Sequence, residues 1–406
     1  MSATGDLGDR LVAAINGVWG VHAGARAAHA KGSCCRGTFT ATPAAAGLSR
    51  AAHLQGAPVP ATVRFSNGSG SPTMPDYARD GRGMAVKLEL PDGSHIDMVG
   101  LTLSVFFVRT PEDFMDFMAA SVRDPATRDY DLARIGAFLD QHPETRRAFE
   151  MELGQELPAS YLATRYFGIH SFRLVDAAGR ARGFRYRWEP DGGAQATDRE
   201  AARAAGREYL QDDLRSRLAS GPARFALHFQ MAAEGDPVDD ATAPWPADRE
   251  DVLAGHLELS EPLPPEACEA LVFDPTTVVD GVECSDDPIL HARSLAYTVS
   301  IARRKGVAAP GAEAGPGGGG VRTVEHDGTR VAVAEVDGRL YGFQDACTHR
   351  GCSLSEGTFS GTEVTCPCHG SVFDVTSGAV RRGPAQAPLR TFAVREVGGE
   401  LEVEPG

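Results

Sequence analysis

The sequence predicts a two-domain chain of the α+β class, a large N-terminal domain of strands and helices joined to a small all-β domain. Three observations carry this reading. The stretch Ala308 to Gly320, AAPGAEAGPGGGG, has no apolar period and is dominated by Gly, Ala and Pro, which is the composition of a flexible tether. Beyond it, Arg330 to Val336 and Arg339 to Phe343 alternate around Asp337-Gly338, and Thr391 to Val397 turns at Gly398-Gly399 into Glu400 to Val403, a pattern of antiparallel strands. Before it stands a segment long enough to bury a sizeable core. The expected boundaries are 1–303 for the large domain, 304–320 for the linker and 321–406 for the small domain.

Taken in order, the first element is Leu11 to Ala25, apolar but interrupted by Asn16 and His22, with Asp6 and Asp9 standing where a signal peptide carries positive charge. No stretch reaches about 18 consecutive apolar residues. A soluble, cytoplasmic protein with no membrane association is expected. Ala61 to Ser66 and Gly83 to Leu90 read as strands. Near the end of the large domain, Asp287 is placed to cap a helix whose first turn suits Pro288, so Arg293 and Tyr297 fall four residues apart on one face. The guanidinium then reaches the phenol oxygen, and a permanently charged group there favours phenolate, a suitable axial ligand for ferric haem.

Charge and cysteine content exclude several classes. With 40 Lys and Arg against 55 Asp and Glu, a net charge of −15 disfavours non-specific binding to nucleic acid. Eight cysteines in 406 residues, four of them clustered near the C-terminus, do not form a disulfide framework, and Cys34, Cys35, Cys268 and Cys284 are expected to be ordinary thiols. No 20–50-residue repeat is evident, and no G-x-G-x-x-G dinucleotide fingerprint appears in a strand–helix setting.

The clustered cysteines carry the most specific chemistry. Cys347-Thr348-His349 and Cys366-Pro367-Cys368-His369 form C-x-H and C-x-x-H pairs. Cys2His2 is also a zinc set, but residues 320–404 resemble the Rieske family, in which two thiolates hold one iron and two imidazoles the other. The resemblance implies a [2Fe-2S] cluster with Cys347 and Cys366 on one iron and His349 and His369 on the other. It further implies a Cys352–Cys368 disulfide, a Ser371 hydroxyl bonded to cluster sulfur, and a covering loop at Gly383-Pro384-Ala385. Phe373 stands where high-potential members carry a tyrosine, so one donor is lost and the potential should fall.

The large domain resembles the catalase family over residues 15–303, most closely the minimal catalase-related peroxidases. The resemblance is carried in order by Arg26-Ala27-Ala28-His29-Ala30-Lys31-Gly32, Arg64-Phe65-Ser66-Asn67-Gly68, Arg82-Gly83-Met84-Ala85-Val86-Lys87, Val105-Phe106-Phe107-Val108-Arg109, Trp245-Pro246 and the Arg293/Tyr297 pair. It implies an antiparallel β-barrel with flanking helices and one haem b. By the same likeness His29 is the distal acid–base, Ser66 its hydrogen-bond partner, Tyr297 the proximal ligand and Arg293 its support. Arg26 and Arg64 lie near the propionates, and Phe114 lies against the haem face. Breaking an O–O bond needs a base that moves a proton between oxygens and an electron-rich ligand behind the iron. Where large catalases place an asparagine this chain has Thr102 in Gly100-Leu101-Thr102-Leu103-Ser104, and Ala28 stands where they usually have valine, both pointing away from efficient peroxide dismutation and toward a larger substrate.

A one-electron carrier tethered to a haem domain points to a haem oxidoreductase of peroxidase or oxygenase type. It would act on a small organic substrate, with peroxide or O2 as oxidant and electrons delivered through its own cluster, itself fed by a separate NAD(P)H-dependent reductase. Competing readings are a detoxifying catalase with an accessory cluster, a hydroperoxide isomerase of the allene oxide synthase type, and a non-enzymatic haem relay. The catalase family often forms dimers or tetramers, whereas the arms that knit large catalases together are absent, so homo-oligomerisation stays open.

Overall fold

The computed structural model describes residues 3–305 apart from 125, 126 and 128, and residues 322–403 apart from 327, 337, 350, 356, 367–370, 383, 384, 398 and 399. The chain divides into two units, Met1–Leu90 with His95–Val307, and Pro91–Ser94 with Ala308–Gly406. Several expectations fall on residues outside those described: most of the linker, Asp337, Gly398-Gly399, Gly383-Pro384, and the Cys368 and His369 assignments.

In the first unit eight strands close into an antiparallel barrel. They are β1 (Gly32–Ala41), β2 (Val59–Asn67), β3 (Arg82–Glu89), β4 (His95–Leu101), β5 (Tyr166–Val175), β6 (Ala181–Pro190), β7 (Ala223–Met231) and β8 (Asp251–Pro262). Hydrogen-bonded neighbours run β5–β4–β3–β2–β1–β8–β7–β6 and back to β5, and the short β9 (Val282–Cys284) extends β5 at the edge. Closure removes the unpaired edges of an open sheet. Side chains alternate across each strand. Val63 and Phe65 of β2, Val86 and Leu88 of β3, and Phe225, Leu227 and Phe229 of β7 all enter the buried core with Phe39 and Trp188. Burying each of these large apolar side chains contributes roughly 1.5–3 kcal/mol.

The alternate residues of β2 point the other way, so Arg64 and Ser66 leave the barrel core and enter a cavity outside the wall. That cavity is roofed by helices: α1 (Ala3–Trp19), α2 (Pro111–Ala120), α4 (Pro143–Gly154) and α6 (Pro288–Lys305), with α3 (Leu132–Gln141) and the short α5 (Pro265–Ala270) nearby in sequence to α4 and α6. α2 starts where Thr110 accepts a hydrogen bond from the Asp113 N–H, one residue before Pro111. α6 starts as expected at Asp287, whose carboxylate accepts from the Ile289 and Leu290 N–H groups at 2.9 and 3.4 Å. Its far end differs from expectation. The helix runs through Lys305, into the segment assigned to the linker, because its buried face continues through Val299 and Ala302 and nothing stops the turn.

A second correction concerns the thiols. Cys34 of β1 and Cys268 of α5 are joined in a disulfide across a sequence separation of 234 residues. The two positions are distant in the chain, and only barrel closure brings them together. Cys35 remains a buried free thiol, as expected, and Cys284 keeps its thiol with Sγ 3.9 Å from the Thr276 carbonyl.

In the second unit, Arg322–His326, Thr329–Val336, Arg339–Gln344 and Thr391–Phe392 form one four-stranded sheet, and Thr358–Ser360, Glu363–Thr365, Val372–Asp374 and Val380–Arg382 form another. The strand expected from Thr391 to Val397 is broken at Ala393. Its first half pairs with Arg339–Gln344 and its second half, Val394–Val397, with Glu400–Val403, so one ladder must end before the other begins. Phe343, Leu354, Val364, Phe373 and Leu389 pack between the sheets with Cys347 and Cys366.

Opening the Cys34–Cys268 bond relaxes a very long loop, so Cys34→Ser should lower stability by roughly 2–5 kcal/mol. Chemical denaturation with and without a reductant checks this. Identical midpoints in both conditions and in the variant would contradict it.

Candidate active site

The cavity has a volume of about 360 Å³ and is lined by residues from β2, β3, β4, α1, α2, α4 and α6. Tyr297 and His29 both border it. On the α6 side, Arg293 donates to the Tyr297 phenol oxygen through Nη2 at 2.7 Å and Nε at 3.3 Å. Its Nη1 donates to His170 Nε2 at 2.8 Å, and His170 Nδ1 lies 2.7 Å from Asp287 Oδ2. Because a guanidinium has no acceptor, Nε2 must accept, and the ring proton therefore sits on Nδ1 and is donated to Asp287. Burial pushes His170 down to about 4, so the imidazole is neutral. Burial would raise Asp287, but the hydrogen bond from His170 holds it below the usual carboxylate range. A carboxylate, a neutral imidazole and a guanidinium thus form a chain of hydrogen bonds that ends on one phenol oxygen, which accepts two of them from the guanidinium.

Facing it, His29 sits in the loop before β1 with φ of 52°, which makes it the one residue other than glycine with positive φ among the described residues. A side chain is strained there. The conformation is held by the His29 N–H to the Gly68 carbonyl at 3.0 Å and by Arg64 Nη2 to the His29 carbonyl at 2.9 Å. The reward is an imidazole aimed at the cavity with Nδ1 3.0 Å from Ser66 Oγ. Register explains the space it occupies. Ser66 pairs with Gly32 on one side and Gly83 on the other. A Cβ on Gly83 would come within 3.0 Å of the His29 ring and 2.9 Å of Ser66 Oγ, and one on Gly32 within 2.8 Å of the Arg64 guanidinium. Burial first, then the charge of Arg64, pushes His29 down to about 3.

Thr102 stands on the same wall, its hydroxyl accepting from the Arg82 N–H at 3.1 Å and its carbonyl from Gln155 Nε2 at 2.9 Å. Phe106 and Phe114 stack at 6.4 Å with 9° between planes, and both line the cavity. Trp245 lies outside it, under the Arg185 guanidinium at 4.7 Å.

Three arginines, Arg26, Arg64 and Arg304, cluster at one end of the cavity. Burial, aided by their mutual repulsion, lowers Arg26 to about 9 and Arg64 to about 10, and burial lowers Arg304 as well. Arg26 is held by Glu269 and by the carbonyls of Cys268 and Leu271. Arg64 Nε is buried without a hydrogen-bond partner, and Arg304 Nη1 has none either, its nearest carboxylate being Glu269 Oε2 at 3.6 Å. Donors left unmet in a cationic, apolar-walled cavity suit the two carboxylates of haem, and Tyr297 would hold its iron, so the residues present fit that group. Arg304 had been assigned to the linker. Its position seven residues after Tyr297, two turns along the same face, was the signal available. His170 had none, since it comes from β5 across the barrel.

In the second unit, Cys347 and Cys366 are buried in one core, and His349 is half-buried in the same loop as Cys347. The loop is shaped by Asp345, which accepts from the Ser355 N–H at 2.6 Å and Ser353 Oγ at 3.0 Å. Ser371 Oγ accepts from the Ala385 N–H at 3.0 Å, which leaves its own proton for another acceptor, and Phe373 is fully buried. Cys352 is disulfide-bonded. Two thiols, an imidazole and a hydroxyl donor in one pair of loops suit a mixed Cys/His iron–sulfur cluster.

Comparison with known proteins finds two families in the chain. The catalase family model matches residues 22–316, and the Rieske [2Fe-2S] domain model matches residues 309–393. The chain is 40% identical over 302 residues to a catalase-related peroxidase of Mycolicibacterium paratuberculosis (strain ATCC BAA-968 / K-10), covering 74% of this chain and 95% of that protein. It is 35% identical over 306 residues to a catalase-related peroxidase of Synechococcus elongatus, covering 75% and 90%. Among solved structures, a fungal catalase matches with a TM-score of 0.64 at 26% identity, covering 70% of this chain and 60% of that one.

Two outcomes follow from this geometry. His29, His53 and His170 are all neutral and reluctant to protonate in the folded chain, at about 3, 4 and 4 against an unfolded value of 6.5. The unfolded chain therefore binds more protons, and stability that is whole above pH ~6.5 is lost as pH falls toward 4. The unfolding free energy from chemical denaturation should fall across that window, and His53→Leu, which removes a buried ring whose Nδ1 has no partner, should shrink the fall by on the order of 2–3 kcal/mol; a flat profile would refute the assignment. Arg304→Ala should weaken haem retention while Tyr297→Phe changes the ferric spectrum, and unchanged haem content and spectrum in both would argue against this cavity as the haem site.

Proposed function

From the premise that the chain belongs to the catalase family and is a haem peroxidase-type oxidoreductase carrying a [2Fe-2S] cluster, we propose that it reduces an organic peroxide with electrons entering through its own Rieske domain. The net reaction, ROOH + 2 e⁻ + 2 H⁺ → ROH + H2O, balances only with an external electron source. The single observation that carries this reading is the presence of both domains in one chain. Dismutation of hydrogen peroxide is redox-neutral and gains nothing from a one-electron carrier, whereas a tether of this kind brings a donor to effective concentrations in the millimolar range.

Haem, when bound, supplies a redox-active iron at which the O–O bond is cleaved. Tyr297 would hold it, with Arg293 donating two hydrogen bonds to the phenolate and the His170–Asp287 pair fixing the guanidinium. Arg26, Arg64 and Arg304 would meet its carboxylates. His29 would accept a proton from the near peroxide oxygen and return it to the leaving one, with Ser66 holding the ring. Thr102, Ala28 and the apolar cavity walls would leave room for a carbon substituent. Cys347, His349, Cys366 and His369 would hold the cluster, which supplies electrons one at a time.

The relatives named catalase-related peroxidase favour a peroxide over O2 as the oxidant. The test is turnover of cumene hydroperoxide by the intact chain with a chemical or enzymatic reductant, compared with His349→Ala and His29→Ala. We expect His349→Ala to keep haem but lose at least tenfold in reductant-dependent turnover, and His29→Ala to lose activity in every assay. Oxygen evolution from hydrogen peroxide at equal rates in the intact and His349→Ala proteins, with no cluster-dependent reduction, would make the chain a catalase with an appended electron carrier.

A further inference from the structure

The short helix α5 is fastened to the barrel by a sulfur. Pro265, Glu266, Glu269 and Ala270 are exposed and Ala267 is half-buried, which leaves Cys268, 2% exposed, as the buried residue of the helix. It is bonded to Cys34 of β1. Register shows where that bond leads: Cys34 pairs with Arg64 across the β1–β2 ladder, whereas the next residue, Cys35, pairs with Val63 and lies in the barrel core. Residues directly opposite in an antiparallel pair share a face. Cys34 therefore stands on the same side of the wall as Arg64, and the disulfide fixes α5 beside the arginine end of the cavity.

What α5 brings there is a set of acceptors. Glu269 Oε2 accepts from Arg26 Nη1 at 2.5 Å and lies 3.6 Å from Arg304 Nη1. The carbonyls of Cys268 and Leu271 accept from Arg26 Nη2 at 3.3 and 3.0 Å, and that of Leu271 also accepts from Arg304 Nη2 at 3.2 Å. Burial lowers Arg26, Arg64 and Arg304, and in each the charge of Glu269 opposes the fall. A guanidinium held by these acceptors keeps its remaining donors in a fixed place, whereas one on a loose tether must be ordered each time a ligand binds. Arg26 also stands three residues before His29, and the Ala27 N–H donates to Ser300 Oγ at 3.2 Å, so the same attachments steady the loop that carries the imidazole. Cys34, Cys268 and Glu269 do not line the cavity themselves. They act through the arginines.

We propose that the Cys34–Cys268 disulfide is a positioning element of the haem site: it holds α5 so that Glu269 and the adjoining carbonyls keep Arg26 and Arg304 aimed at the haem carboxylates, and opening it speeds haem loss. This rests on the reading of the cavity as the haem site.

The experiment uses the intact, haem-loaded chain. Haem transfer to excess apomyoglobin gives the dissociation rate, and resonance Raman of the bound haem gives the propionate bending band, which reports hydrogen bonding to the carboxylates. Cys34→Ser and Cys268→Ser should each raise the rate roughly tenfold, the equivalent of one hydrogen bond to a charged group, and by the same factor because they open the same bond. Both should shift the propionate band. Glu269→Ala should raise the rate by less, and Glu269→Gln, which keeps an acceptor for Arg26 without the charge, should recover part of the effect. Leu227→Ala, in the barrel core and away from the cavity lining, lowers global stability without touching α5 and should leave the band where it is. Native rates and an unmoved band in both cysteine variants overturn the proposal, as does a Leu227→Ala protein that matches them in both readouts. Should the serine variants fail to fold, Glu269→Ala carries the test, and native behaviour there overturns it equally. Tyr297→Phe and Arg304→Ala run alongside: if they change neither readout, the haem-site reading fails, and if they change both while the cysteine variants change neither, the positioning role alone is wrong.

Discussion

The guanidinium of Arg293 is the interaction on which the candidate site depends. It is one side chain that must satisfy a phenol on its own helix and an imidazole from a barrel strand, and both contacts are met at once by the planar fork of donors. Asp287 closes the chain of contacts by doing two jobs. One carboxylate oxygen caps the helix and the other orients His170, so the start of α6 and its seating on β5 are set by the same group. A lysine at Arg293 could make one of these contacts but not the whole set.

The opposite wall shows the same economy in a different form. Ser66 lies in a cross-strand row between two glycines, and the missing Cβ atoms are what allow His29 and Arg64 to lie close over the sheet. The positive φ of His29 is therefore a local strain sustained by the barrel, since its backbone is tied at both ends to β2 and the loop after it. Strain, buried cations and unpartnered donors all collect at this cavity, which is where a protein that binds a large dianionic cofactor is expected to keep them.

The two units express different strategies for ordering a site. The first relies on a large core and a long-range crosslink between β1 and the short helix that carries Glu269, the residue that holds Arg26. The second has a small core in which the cysteines themselves are buried members, and its loops are shaped by carboxylate turns such as that of Asp345. In a unit of this size a cluster held by those cysteines would sit within the core, which would couple metal binding to folding.

What the sequence determined by itself was local. The helix cap at Asp287, the four-residue step from Arg293 to Tyr297, the strands around Arg64 and Gly83, and the Cys/His pairs are all readable because the physics that sets them spans a few residues, one helical turn or one strand repeat. The tertiary structure alone decided what came from afar. His170 reaches Arg293 across a sequence distance of 123 residues, and Cys34 meets Cys268 across 234. Arg304 lies between these cases, since its place on the helical face was legible but the end of the helix was not: composition marks a tether, while only packing against the rest of the unit shows where the buried face of a helix stops.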